Sequence, residues 1–219
     1  MSGWLVLLGG GEFSFDETLD ADRAWIELLG EGPIGFVPAA SGSSDYGRHF
    51  AEYMKGTFER TVETIPIYRE RDGKRGKNAE RIRDCAAVYL GGGVADHLLD
   101  ALAGGPCLEA LRAKPESGGV VVAIAAAAQA CGAVVRAVVG RETLPGLGLA
   151  PGLAIDTNFD PGHDRRLRQL VGTSGVVRGV GLSAGSALLL GGEGRFEAVG
   201  SVFTLAAPDA DLVPLGAEE

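Results

Sequence analysis

Residues 119–133 read GVVVAIAAAAQACGA, and this stretch decides the fold of the chain. Its first half, which ends at Ile124, is an apolar run rich in β-branched residues, as is typical of a buried strand. The alanines that follow are strong helix formers, so the pattern predicts a strand that turns sharply into a helix. In α/β hydrolytic folds such a turn carries the nucleophile as Gly-x-Ser-x-Gly. Here residues 124–128 are small or apolar, and none of them has a hydroxyl or thiol group.

The composition of the chain indicates one soluble globular domain over residues 1–219. The chain is 46% hydrophobic and 22% charged, with a formal net charge of −9. Nucleic acids and anionic membranes are bound by clustered cations, so the acidic balance argues against both as partners. The three cysteines are few and odd in number, which argues against a disulfide framework and favours a cytoplasmic location.

Two apolar segments raise the question of a membrane or export signal. The N-terminal run 4–8 is short and has no basic residues before it, so no signal peptide is predicted. The uncharged stretch 118–135 contains Gln129 and many Gly and Ala residues, and it is only about as long as the shortest membrane-spanning helix. A buried strand followed by a tightly packed helix is the better interpretation.

Short apolar runs alternate with helical patterns along the chain, which indicates a parallel sheet with helices on both faces. The sequence predicts strands at 4–8, 34–37, 62–67, 86–90 and 119–124, and helices around residues 19–29, 46–58, 94–102 and from Pro106. The charged segment 69–77 is predicted to be a solvated loop. The tail 175–212 alternates apolar runs with Gly turns and is predicted to form antiparallel strands at the sheet edge.

Several segments together resemble the serine peptidases that include dipeptidase E and cyanophycinase. They are LLGGGE at 7–12, VYLGGG at 88–93, PGLGLAPGLAIDTNF at 145–159, RRLR at 165–168 and GVGLSAGSAL at 179–188. The resemblance covers nearly the whole chain. It implies a three-layer αβα fold of the glutamine-amidotransferase-like class, with a mostly parallel flavodoxin-like sheet and antiparallel edge strands.

The chain departs from the family at the catalytic positions. The family elbow, Gly-x-Ser-Ala-Gly-Ala, matches residues 123–128, which places Ala125 at the nucleophile position. The family base lies in an Asp-x-His-Phe segment, where this chain has Asn158. The family's acidic residues match Ser183 and Ala184, and its Gly-Gly-Asn or Gly-Gly-Asp after the fourth strand ends here in Val94. Loss of the Ser or the His of a triad costs about a million-fold in turnover, so a peptidase that uses these positions is excluded.

Two residues offer a replacement nucleophile. Ser183 lies in GLSAGS, residues 181–186, which itself spells Gly-x-Ser-x-Gly, but a strand-to-strand turn would give Ser183 no such role. The periodicity of 187–192 fits a strand or the start of a helix and leaves the choice open. Cys131 lies past the elbow, well inside the predicted helix, where a buried structural thiol is the usual explanation.

The candidate binding residues come from the resemblance and from the glycine runs. The resemblance implies a substrate-site role for Gly92, Gly93, Val94, Asp156, Arg165, Arg166 and Arg168. The three arginines could hold a carboxylate by bidentate contacts, or they could form a solvated helix face. The glycine runs at 9–11 and 91–93 lack dinucleotide spacing and are interpreted as tight turns at the binding edge of the sheet.

No cofactor or metal site is predicted, because His49, His97 and His163 are scattered without spaced ligand partners. Three functions remain open. The chain is a pseudopeptidase that binds a small peptide or carboxylate, a hydrolase that uses Ser183, or an interaction protein, with a homodimer as one arrangement.

Overall fold

The computed structural model describes residues 3–138 and 142–216, with 13 strands and eight α-helices in these ranges. The strands are β1 Trp4–Leu8, β2 Ile34–Val37, β3 Val62–Thr64, β4 Ala87–Leu90, β5 Val120–Ile124, β6 Val134–Arg136, β7 Thr143–Pro145, β8 Leu153–Thr157, β9 Arg178–Leu182, β10 Ala187–Gly191, β11 Phe196–Val199, β12 Val202–Leu205 and β13 Leu212–Leu215. The helices are α1 Leu19–Ile26, α2 Ser44–Phe58, α3 Glu70–Gly73, α4 Gly76–Asp84, α5 Ala95–Ala101, α6 Pro106–Glu116, α7 Ala126–Cys131 and α8 Arg165–Val171. Short 3₁₀ turns lie at Phe13–Phe15, Pro161–His163 and Gly192–Gly194.

The strands form two sheets. The first has seven strands in the order β11-β10-β1-β5-β4-β2-β3, and the second has six in the order β13-β12-β9-β8-β6-β7. Strands β3, β2, β4, β5 and β1 run parallel, and β10 and β11 add antiparallel strands at the edge. In the second sheet β6, β8 and β9 are parallel, with antiparallel β7 on one side and β12 and β13 on the other. The predicted fold class, a three-layer and mostly parallel α/β structure with antiparallel edges, is confirmed.

Successive residues of β1 belong alternately to two apolar clusters, so both faces of the first sheet are covered. Leu5 and Leu7 belong to one apolar cluster, and Val6 and Leu8 belong to another. The first cluster includes apolar residues of α4, α5, α6 and α7, whereas α1 and α2 contribute to the second. A strand that is buried on both faces has a continuous apolar sequence. Such strands can therefore be predicted from the sequence.

The structure corrects three expectations. Strand β3 stops at Thr64 rather than continuing to residue 67, because Pro66 has no N–H to donate to a ladder. The segment 69–77 is not a loop: it contains α3 and the start of α4, and the buried Asn78 donates hydrogen bonds to the carbonyls of Pro66 and Asp72. Within the tail, β9 pairs parallel to β8, so residues 175–212 are not purely antiparallel.

The segment 118–135 has the predicted organisation. It contains β5, the short helix α7 and the start of β6. Among the described residues, the helices are all too short or too polar to cross a membrane.

Candidate functional site

The turn between β5 and α7 has the geometry of a nucleophile elbow. Ala125 links the strand to the helix with φ 51° and ψ −119°, a backbone conformation that residues with a Cβ rarely adopt. Its N–H donates a hydrogen bond to the carbonyl of Leu8 on the neighbouring strand β1. Strained backbone of this kind is concentrated at functional sites, where it aims one side chain outward. Here the side chain so placed is a methyl group.

Asn158 follows β8 and also has a positive φ, 48°. Asparagine tolerates the left-handed region better than most residues because its short amide bonds locally. The Asn158 N–H donates to the carbonyl of Gly9, 2.7 Å away, and this contact joins the end of β8 to the end of β1. At Gly10, which has φ 119°, a Cβ would lie 2.5 Å from Oδ1 of Asn158. Any other residue at Gly10 would be strained by this φ and would displace the Asn158 amide.

These two residues lie on one cleft of about 500 Å³ at the carboxyl edge of the first sheet. The lining contains both glycine runs, the elbow, two carboxylates and two aromatic rings: Gly10, Gly11, Glu12, Phe13, Glu17, Tyr46, Gly92, Gly93, Ile124, Ala125, Asn158 and Ala184. We call it the elbow cleft. Open α/β sheets bind their ligands outside the carboxyl ends of the strands, which is where this cleft lies.

Ser183 and Ala184 lie on the turn between β9 and β10. Residues 187–191 form strand β10, so the segment whose direction the sequence left open is a strand-to-strand turn and not an elbow. The Ser183 hydroxyl donates to the carbonyl of Phe159, 2.9 Å away. Ala184 lines the elbow cleft, whereas Ser183 is absent from its lining.

The thiol of Cys131 is fully buried at the last residue of α7. Burial raises its pKa to about 12, so it is a protonated thiol at neutral pH. The structural interpretation of this cysteine agrees with its burial.

Comparison with known proteins identifies the fold. The family model described as Peptidase family S51 matches residues 5–197, which is most of the chain. The chain belongs to peptidase family S51. No curated protein gives a significant match.

Two solved structures share the architecture of this S51 chain. A peptidase from an acI-B1 actinobacterium is 20% identical, with 98% of each chain covered and a TM-score of 0.73. A candidate peptidase E of Listeria monocytogenes EGD-e is 14% identical, with 90% of this chain and 98% of that chain covered and a TM-score of 0.67. At these identities the likeness concerns the fold.

The structure brings together only part of the S51 site predicted from the sequence. Ala125, Asn158, Ala184 and the Gly92–Gly93 pair line the elbow cleft. Val94 is absent from that lining; it precedes α5, and its N–H donates to the carbonyl of Ala40.

The three arginines of the basic segment 165–168 differ in the contacts they make in this S51 chain. Arg166 forms an ion pair with the buried Asp156 and donates to the carbonyl of Thr157, 3.0 Å away. Arg168 pairs with Asp164 and donates to two backbone carbonyls of the C-terminal segment. The guanidinium of Arg168 therefore joins α8 to residues 208–210. Arg165 and Arg166 line a different cleft from that of the elbow.

Five residues of the cleft lining are not among the site residues predicted from the sequence: Glu12, Phe13, Glu17, Tyr46 and Ile124. Glu12 follows the first glycine run, and its N–H donates to Oε2 of Glu17, 2.9 Å away. Tyr46, at the start of the predicted helix 46–58, also lines the cleft, and burial raises its pKa above the ordinary value. The position of Glu12 directly after GGG was the one signal that could have suggested its role. Within the described part of the chain, no group of three His, Cys, Asp or Glu residues is arranged to hold a metal ion.

Proposed function

We propose that this S51 chain is a catalytically inactive homologue of the family's peptidases, and that its elbow cleft binds a small ligand. The observation that carries the proposal is the elbow itself. Ala125 has the strained conformation of a nucleophile position and opens on a cleft of about 500 Å³, but its side chain is a methyl group. A methyl group cannot form an acyl intermediate.

The position that the resemblance matches to the base supports the same proposal. Asn158 lies on the same cleft as Ala125, and its amide cannot exchange a proton near neutral pH. Without nucleophile and base, the acylation steps of a serine peptidase have no chemical route through this cleft. What remains at the site is hydrogen-bonding capacity and charge.

The lining favours a ligand with an amino group. Glu12 and Glu17 are exposed carboxylates at the cleft, and Tyr46 and Phe13 provide aromatic surface. Carboxylates attract an ammonium group and repel free carboxylates. A short peptide with a free N-terminus fits this lining better than a simple carboxylate does.

The alternative, a hydrolase that uses Ser183, has weaker support. The Ser183 hydroxyl donates to a backbone carbonyl, and none of the described histidines lies within hydrogen-bond distance of it. An activated serine needs a base that accepts its proton. The site thus lacks the partner on which that alternative depends.

Fluorophosphonate labelling of the purified chain tests the inactivity. We expect no labelled serine by mass spectrometry, with an active S51 peptidase labelled in parallel as the control. Stoichiometric labelling at Ser183, abolished in Ser183→Ala, would overturn the proposal and support the hydrolase.

Calorimetric titration tests the ligand class. We expect trialanine to bind and N-acetyl-trialanine to bind more weakly, with the difference reduced in Glu12→Gln and Glu17→Gln. Equal binding of the two peptides, or binding of neither, would contradict an ammonium-binding cleft.

A cytoplasmic location is part of the same proposal, because the three cysteines are buried and free.

A further inference from the structure

A second cleft of about 540 Å³ lies in the second sheet between the β6–β7 hairpin and α8. Within residues 3–138 and 142–216, it shares no lining residue with the elbow cleft. Its polar lining consists of Arg136, Thr143, His163, Arg165, Arg166 and Gln169, with Leu170 as an apolar contact. We call it the arginine cleft.

The strand register and the helix period explain why these side chains meet. Arg136 and Thr143 are paired residues of the antiparallel strands β6 and β7, so their side chains share one face of the hairpin. On α8, Arg165 and Gln169 are four residues apart and lie on one face of the helix. The polar groups therefore converge from the β6–β7 hairpin, from α8 and, at His163, from the 3₁₀ turn before α8.

The charges in the arginine cleft are partly compensated and partly free. Arg166 pairs with the buried Asp156, and the ring of His163 contacts the Asp160 carboxylate at 2.7 Å. Arg136 and Arg165 have no carboxylate within 4.0 Å among the described residues. Among the described residues, each ionisable side chain that lines the cleft is basic, on a chain with a formal net charge of −9.

We propose that the arginine cleft binds a small organic molecule carrying a dianionic oxygen group, either a phosphate ester or a dicarboxylate. Arg136 and Arg165 pair with the anionic oxygens, since guanidinium groups bind phosphate and carboxylate in a bidentate manner. The Thr143 hydroxyl and the Gln169 amide supply neutral hydrogen bonds, and Leu170 contacts the carbon skeleton. The site is independent of the elbow cleft, so it stands whether or not the chain is an inactive peptidase.

Titration with two probes tests the site and distinguishes a phosphate ligand from a dicarboxylate ligand. Inorganic phosphate and succinate are titrated into the full chain by calorimetry at low ionic strength, with the folded state of each variant checked by circular dichroism. We expect saturable binding of at least one probe, and the tighter probe shows whether phosphate or dicarboxylate is the preferred group. Arg136→Gln and Arg165→Gln are expected to weaken that binding about ten-fold each.

Arg83→Gln is the matched control, because Arg83 is exposed on α4 and absent from the cleft. We expect the control to bind the probes as the unmodified chain does. Binding of neither probe below about 10 mM would overturn the proposal. Equal weakening by Arg83→Gln would also overturn it, because the effect would then be a general change in net charge.

Discussion

Ala125 has a backbone conformation that costs free energy and that serves a nucleophile in catalytically active elbows. A residue with a Cβ in this region is strained by about 1–3 kcal/mol. Glycine has no Cβ and adopts positive φ without that cost, although it loses more backbone entropy on folding. We expect Ala125→Gly to raise the free energy of unfolding by about 1 kcal/mol, measured by urea denaturation.

Ala126→Gly is the control for this prediction. Ala126 is the first residue of α7 and has helical geometry, so glycine there is expected to lower stability by about 0.5–1 kcal/mol. If both variants were destabilised equally, the strain at Ala125 would be refuted.

Asp22 is a buried carboxylate of α1 that accepts hydrogen bonds from Thr18, Trp25 and Tyr53. Burial raises its pKa above 3.8, and the three donors offset part of that effect. The folded state therefore binds this proton more tightly than the unfolded state does. We expect the stability of the unmodified chain, relative to Asp22→Asn, to increase as pH falls through the raised pKa toward about 4.

Denaturant titrations between neutral pH and about pH 4 measure this difference. Asp20→Asn on the same helix is the control, because Asp20 is exposed and its change is expected to stay within about 0.5 kcal/mol. A difference for Asp22→Asn that is constant or shrinks as pH falls would show that burial does not control this carboxyl.

Among the elements, β5 and α7 were predictable because an apolar β-branched run and an alanine run are each strong local signals. Helices α3 and α4 were not predictable in the same way. Their segment is rich in charges, and what holds it is tertiary: the amide of Asn78 bonds the carbonyls of Pro66 and Asp72. A charge pattern alone does not distinguish such a helix from a solvated loop.

Lys114 is a buried cation that joins elements lying far apart in the sequence. Its ammonium on α6 donates to the carbonyls of Arg83 and Cys85, at the end of α4 and just before β4. Lys114→Met leaves these carbonyls without that partner, so we expect a loss of about 2 kcal/mol in thermal or urea unfolding. The control is Lys74→Met, an exposed lysine paired with Glu70, with an expected change below about 0.5 kcal/mol. Equal effects of the two substitutions would contradict the role of Lys114.

In the whole molecule, the site residues come from strands of both sheets. Ala125 follows β5 of the first sheet, while Asn158 follows β8 of the second. The Asn158 N–H donates to the carbonyl of Gly9, which follows β1, the strand next to β5. Motif order could suggest that Ala125, Asn158 and Ala184 lie near one another, but not that Glu12 and Tyr46 line the same cleft. It could not predict which sheet each short strand joins, because β6 and β7 are three residues long and their pairing is set by long-range contacts.

Removal of the last two strands would show how far the second sheet depends on the C-terminal segment. β12 and β13 lie beyond residue 197, where the family match ends, yet Leu205 of β12 is fully buried against Phe159 and Leu167. Truncation after Ser201 removes β12, leaves β9 with an open edge and exposes this cluster, so we expect an insoluble protein or one without cooperative unfolding. Truncation after Asp211 removes only β13, whose side chains are half-buried or exposed, and we expect a folded protein with Tm lower by about 2–4 °C. Calorimetry of both truncated chains measures this, and a cooperative transition at the full-length Tm after truncation at Ser201 would show that the second sheet folds without its C-terminal strands.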